Sequence, residues 1–363
     1  METFIPLQYY TFVYYNVLLL TVLLMYFNAN VNVLASGKNH NFIRLLGILF
    51  VPFIVLYIGM RPIDPIFVDM TMYNHLFVQF ADGETTASEI KGDVGFLYFV
   101  QYASKVMTPE MFFLICAVIY ITPLVVVSFK WFKEYWFYAF LMLVISFSFL
   151  GYGVNGIRNG MATSLFLLAV SFHSRKVVMV LLLLLSIGFH KSMSLPICAL
   201  ALTYFHNDMR TYLKAWIFAI PISFVVGGFF VAFFTTLGFD DARVGIYLSE
   251  DPLQSANGFR WDFILYSATG VFAGWYYIVK KQYKDPFYER LLNVYLISNM
   301  FWILIIRAGF SNRFAYLSWF LLAIVIIYPL IKVKLISNQH RIVGQILFIY
   351  FMFTYLLNYL LLP

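Results

Sequence analysis

Charge is what this chain has least of. Only 11% of its 363 residues are Asp, Glu, Lys or Arg, against 62% hydrophobic, which excludes a soluble globular domain and leaves a polytopic integral membrane protein. Cysteine is scarce too. Cys116 and Cys198 both lie inside apolar runs, the setting of small buried hydrophobes and not of a disulfide or metal site. The six histidines fall into no metal-ligand spacing, so neither a metal nor any other cofactor is expected. No internal repeat, low-complexity tract or long linker interrupts the chain, and no nucleic-acid partner is expected. Before the first apolar run there is Glu2 and no basic residue, and no small-residue cleavage site follows. That run is expected to remain as a span. Residues 1–363 read as one integral membrane domain.

Windows of about 20 apolar residues predict an all-α chain of twelve transmembrane helices, at 9–27, 42–60, 111–129, 135–150, 157–172, 177–189, 193–205, 215–234, 263–279, 291–306, 314–331 and 342–361. The loops on one side hold 15 of the 24 Lys and Arg but only four of the 17 Asp and Glu. By the positive-inside rule that side is cytoplasmic, and both termini lie outside. The segment 177–205 reads as two short helices hinged at His190-Lys191-Ser192-Met193-Ser194, because a single span would export nine downstream basic residues. Thirteen residues cover about 20 Å of a hydrocarbon core ~30 Å thick. His190 and Lys191 are therefore expected below the outer interface, in a water-filled cavity.

Two outer loops are large, 61–110 and 235–262, and a tight turn spans 307–313. Within the first, residues 94–107 place Phe96, Phe99, Val100, Ala103 and Met107 at helical spacing. They predict an interfacial amphipathic helix capped by Asp93. Between two apolar runs sits Gly151-Tyr-Gly-Val-Asn-Gly-Ile-Arg-Asn-Gly-Met-Ala162. Here Asn155 is expected as an N-cap, with Arg158 in the first helical turn beside amides able to receive an anion. Gly156, Gly160 and Ser164 offer a face small enough for close helix approach. Arg61, Arg158, Lys191, Arg243, Arg260, Arg307 and Arg313 all fall on the outer side, among Asp69, Asp93, Asp262 and tyrosines such as Tyr73. Arginines clamp phosphate or diphosphate, aromatic faces stack on sugars, and a carboxylate or histidine takes a proton from a hydroxyl.

The ordered set Gly59-Met-Arg61, Asp69, Tyr73, Asp93-Val-Gly95-Phe96, Asn155-Gly-Ile-Arg158-Asn-Gly-Met-Ala162, Phe189-His190-Lys-Ser192 and Asn312-Arg313 resembles the EpsG-like and Wzy-type polysaccharide polymerases of bacterial envelopes. Members of that family typically carry Glu where this chain has Asp93, and often Gln where it has Asn159. The resemblance implies a glycosyltransferase of the bacterial inner membrane with its site facing the periplasm, and the lack of an outer metal-ligand cluster beside the outer arginines adds the expectation that it is metal-independent. The resemblance also implies transfer of an undecaprenyl-diphosphate-linked oligosaccharide onto another lipid-linked glycan, with a chain-length regulator as a candidate further partner. Arg158 is the first choice for stabilising the departing diphosphate, with Arg61, Tyr73, Asp93, Asn155, Lys191, Arg243, Arg260, Arg307 and Arg313 as binding candidates, and His190 or Asp69 as base. A flippase for lipid-linked oligosaccharide and a glycan ligase are the alternatives. The first needs a cytoplasmic opening for which the inner halves of the spans carry few ionisable residues; the second shares the donor chemistry.

Overall fold

The computed structural model describes residues 5–236, 259–306 and 311–361, the side chains of 226–236 and 311–313 excepted. Among these residues the regular structure is all helical. In chain order the helices are α1 (Tyr10–Val31), α2 (Gly37–Gly59), α3 (Asp69–Ala81), α4 (Val94–Ser104), α5 (Pro109–Phe132), α6 (Trp136–Val144), α7 (Phe149–Val154) and α8 (Ile157–Ser171). Then follow α9 (Lys176–Phe189), α10 (Ser194–Phe205), α11 (Met209–Thr236), α12 (Trp261–Trp275), α13 (Pro286–Leu304), α14 (Ser311–Lys332) and α15 (Gln339–Tyr355). Several start on local signals. Ser36 and Thr108 accept amide bonds from Asn39 and Met111, and Asp285 accepts from Phe287 and Tyr288, with Pro at the first position of α5 and α13.

Among the described residues, five stretches are long and apolar enough to cross a membrane: Leu7–Val31, Gly37–Gly59, Pro109–Val144, Phe314–Lys332 and Gln339–Leu361. They point to a multi-pass membrane protein. By contacts the chain divides into two compact units, Met1–Met193 with Leu330–Pro363, and Ser194–Pro329. In the first, α8 lies between α5 and α9, and α1 packs along α15. Twelve of the fifteen α8 residues are buried, so this helix is enclosed by protein on all sides. A Cβ at Gly160 would meet the Tyr152 carbonyl oxygen at 2.7 Å. Only glycine lets α8 approach α7 so closely, which bears out the small face expected there. In the second unit, the Asn299 side chain bonds Trp216, Ser267 and Ser318, and Trp319 also reaches Ser267, tying α11 to α14 together.

The expected span 135–150 is broken. Helix α6 stops at Val144 and α7 begins at Phe149, which strands carbonyls that an apolar surrounding must see paired. Each of four has a partner from another helix. Tyr14 donates to the Val144 oxygen, Thr354 to Ile145, Asn358 to Phe147 and Tyr120 to Phe149. Asn358 reaches from the π-helical turn Leu356–Leu361 that follows α15.

The 61–110 segment holds two helices, where one was expected. Helix α3 went unpredicted, although Met70, Tyr73, Phe77 and Phe80, all buried, follow its period. Helix α4 is shorter than the expected 94–107, and its apolar face turns to protein: Phe96 meets Tyr73, and Phe99 meets Phe112 and Phe189. Between α9 and α10 the helix breaks at His190, as expected. Cys116 is buried, but Cys198 is exposed, contrary to its apolar setting, because its helix turns that side outward; both are free.

Candidate functional site

Four of the segments singled out in the sequence, far apart in the chain, meet in the first unit. The chain turns at Asn155 and Gly156, whose amides both bond the Gly151 carbonyl, and α8 starts immediately after. Asn155 is not the cap expected: that position falls to Gly156, and the Asn155 side-chain oxygen accepts instead from the Asp69 amide at 3.1 Å. Val68, just before Asp69, holds φ 45°. For a β-branched residue this is strained backbone, and it turns the Asp69 amide toward Asn155.

In the first turn of α8, the Arg158 guanidinium is held from two directions. Its Nη1 donates to Asp93 Oδ2 at 2.6 Å and its Nε to the Tyr73 hydroxyl at 3.2 Å. The Tyr73 and Phe96 rings flank it, each 5.7 Å from Cζ. The other carboxylate oxygen, Asp93 Oδ1, accepts the Lys191 amide at 2.9 Å. Asp93 occupies the N-cap position of α4, but its carboxylate makes no cap bond there: a half-buried cation and an incoming amide outcompete its own helix. With the Asp93 side chain 6% and the Arg158 side chain 18% exposed, this is a largely desolvated ion pair, strong only because both ends are also hydrogen-bonded. The Lys191 side chain is exposed; its tie to the cluster is through the backbone.

His190 Nδ1 lies 3.2 Å from the Ser192 amide and 2.7 Å from the Ser192 hydroxyl. A backbone N–H can only donate, so Nδ1 is the acceptor and the neutral ring carries its proton on Nε2. This counts against the base role expected of His190, for the nitrogen with a lone pair already faces Ser192. Asp69 is half-buried, and its carboxylate takes no hydrogen bond among the described residues. It stands one helical turn before Tyr73, on the same face of α3.

Arg61 was expected as a diphosphate ligand and is found as a buried strut. It is 5% exposed, lies between the Phe67 and Phe113 rings, and donates to the Ile58 and Val154 carbonyls at 2.5 and 3.1 Å. These carbonyls end α2 and α7, where a cation is favoured. Burial lowers its pKa, and its Nε has no hydrogen-bond partner among the described residues. Arg260 belongs to the second unit, where its Nε and Nη2 grip Asp262 at 2.9 and 2.6 Å. Hydrogen bonding from Arg260 holds the Asp262 carboxyl below its usual pKa. Arg243 and Arg307 lie outside the described residues, as does the side chain of Arg313. No group of three His, Cys, Asp or Glu side chains suited to a metal ion occurs among the described residues.

Sequence reasoning did not find the crossing of α4 and α9, where Gly95 lies against Gly188; a glycine two residues after Asp93 and another three before Lys191 were its only trace. In comparisons with known proteins, the model of the EpsG family matches residues 44–362. No curated protein and no solved structure matches.

Proposed function

We propose, from the premise that this chain belongs to the EpsG family, a family associated with exopolysaccharide biosynthesis, that it is a polysaccharide polymerase. In this reading it joins lipid-linked oligosaccharides at the outer face of the bacterial inner membrane, crossing that membrane twelve times with both termini outside. The observation that carries the reading is the convergence of Asp69, Tyr73, Asp93, Asn155, Arg158 and Lys191 through four hydrogen bonds.

The acceptor sugar hydroxyl forms a bond to the anomeric carbon of the donor. The bond from that carbon to the diphosphate oxygen breaks, and its electron pair leaves with the undecaprenyl diphosphate. Arg158 counters the charge that develops on that oxygen. Asp93 and Tyr73 hold the guanidinium in position beforehand, so that little reorganisation is needed as the charge appears. The hydroxyl proton goes to Asp69, whose carboxylate takes no competing bond among the described residues. His190, with its proton on Nε2, acts as a hydrogen-bond donor to the substrate. Arg61 keeps α2 and α7 together beneath the site and does not touch the substrate.

Purified protein in detergent, given a defined undecaprenyl-diphosphate oligosaccharide and no added metal, is expected to yield a ladder of products one repeat apart. Binding of that lipid without any ladder would favour the flippase. A single transfer onto a second, added acceptor that is not linked to undecaprenyl diphosphate would favour the ligase.

A further inference from the structure

The contact between α4 and α9 is backbone on backbone. A Cβ at Gly95 would meet the Gly188 carbonyl carbon and oxygen at 2.8 Å and its Cα at 3.0 Å. No side chain is available to move aside, so any residue with a Cβ must force the helices apart. The converse does not hold. A Cβ at Gly188 would find Gly95 Cα at 3.6 Å, an ordinary contact. Just beyond this crossing lie the two ends of the bond between the Lys191 amide and Asp93, and Asp93 in turn holds Arg158.

We infer that Gly95 is a positioning residue: its lack of a side chain seats α4 on α9 so that Asp93 reaches the Lys191 amide and Arg158 together. The inference rests on the proposed role of Arg158 in glycosyl transfer. Opening the 2.8 Å approach to the 3.4 Å of ordinary contact separates the helices by about 0.6 Å, since a close-packed interior has no slack to absorb it. A misplacement on the order of 1 Å away from the chemistry lowers rates about a hundredfold.

The test uses full-length protein and two readouts, turnover of lipid-linked oligosaccharide and the rate at which a dicarbonyl reagent modifies Arg158, read by peptide mass mapping. Gly95→Ala is expected to lower turnover at least tenfold and to speed Arg158 modification severalfold. Gly188→Ala is expected to match the unsubstituted protein in both. Asp93→Asn should expose Arg158 similarly, and adding Gly95→Ala to it should bring less than a further twofold change, because the two act through one carboxylate. If Gly95→Ala does not accumulate, Lys191→Pro takes its place. His190 is extended (φ −156°, ψ 119°), as a residue before proline must be, so the backbone accepts the change; the amide donor to Asp93 is lost together with the exposed ammonium, which Lys191→Ala removes alone, and faster Arg158 modification is expected from the proline and not from the alanine. Equal effects of Gly95→Ala with and without Asp93, or unchanged Arg158 modification in both Gly95→Ala and Lys191→Pro, overturn the inference. Turnover unaffected by Asp93→Asn overturns the site itself, and the inference with it.

Discussion

Arg158 needs two donors pointing different ways, Nε to Tyr73 and Nη1 to Asp93, and a lysine ammonium at the end of a flexible stem offers no such fork. Arg158→Lys is therefore expected to lose turnover as fully as Arg158→Ala, by roughly a hundredfold or more, in the ladder assay. Asp69→Asn should fall by about 10²–10⁴ while still binding donor lipid, the loss typical of a removed general base. His190→Gln separates two roles. Glutamine can accept from Ser192 and donate outward as the neutral ring does, so turnover within tenfold of the unsubstituted protein is expected; a loss as deep as that of Asp69→Asn would restore His190 as base. Arg61→Ala should instead reduce stability, by on the order of 3–6 kcal/mol for two charge-assisted bonds, seen as a lower thermal midpoint in detergent. The identities of these residues were legible in the sequence; their roles were not. An arginine at a helix end reads the same whether it faces a ligand or, like Arg61, two carbonyls.

At the scale of elements, the sequence showed helices wherever apolar runs were long, because burial and lipid both demand one. It did not show the break after Val144. Nothing in 135–150 is a strong helix breaker, and the break persists because Tyr14, Tyr120, Thr354 and Asn358 supply donors from elsewhere in the chain. Thr354→Val should leave the Ile145 carbonyl unpaired and cost about 1–3 kcal/mol, with Thr354→Ser near neutral; equal midpoints for all three proteins would refute this. Asp93 and Asn155 looked like helix caps because capping is a local rule. The Arg158 guanidinium at Asp93 and a distant amide at Asn155 override that rule.

For the whole molecule, the prediction of a polytopic helical chain follows from composition, and the five long apolar stretches bear it out in that coarser form. The EpsG match over residues 44–362 agrees with a resemblance that rested on spaced motifs, each short, but in an order chance rarely repeats. Orientation across the bilayer rests on the charge asymmetry of the loops. In intact cells lacking Cys116 and Cys198, Asn207→Cys is expected to resist an impermeant thiol reagent, and its labelling would invert the downstream topology.

The central claim is that the cluster around Arg158 transfers a glycan from a lipid diphosphate. It is tested most directly by counting both products of the reaction in one tube of purified protein and defined donor: glycosidic bonds formed and undecaprenyl diphosphate released. One released lipid for each new bond is expected, undiminished by EDTA, and neither product with Arg158→Lys. Bond formation by Arg158→Lys at the rate of the unsubstituted protein, or lipid release without bonds, would contradict it.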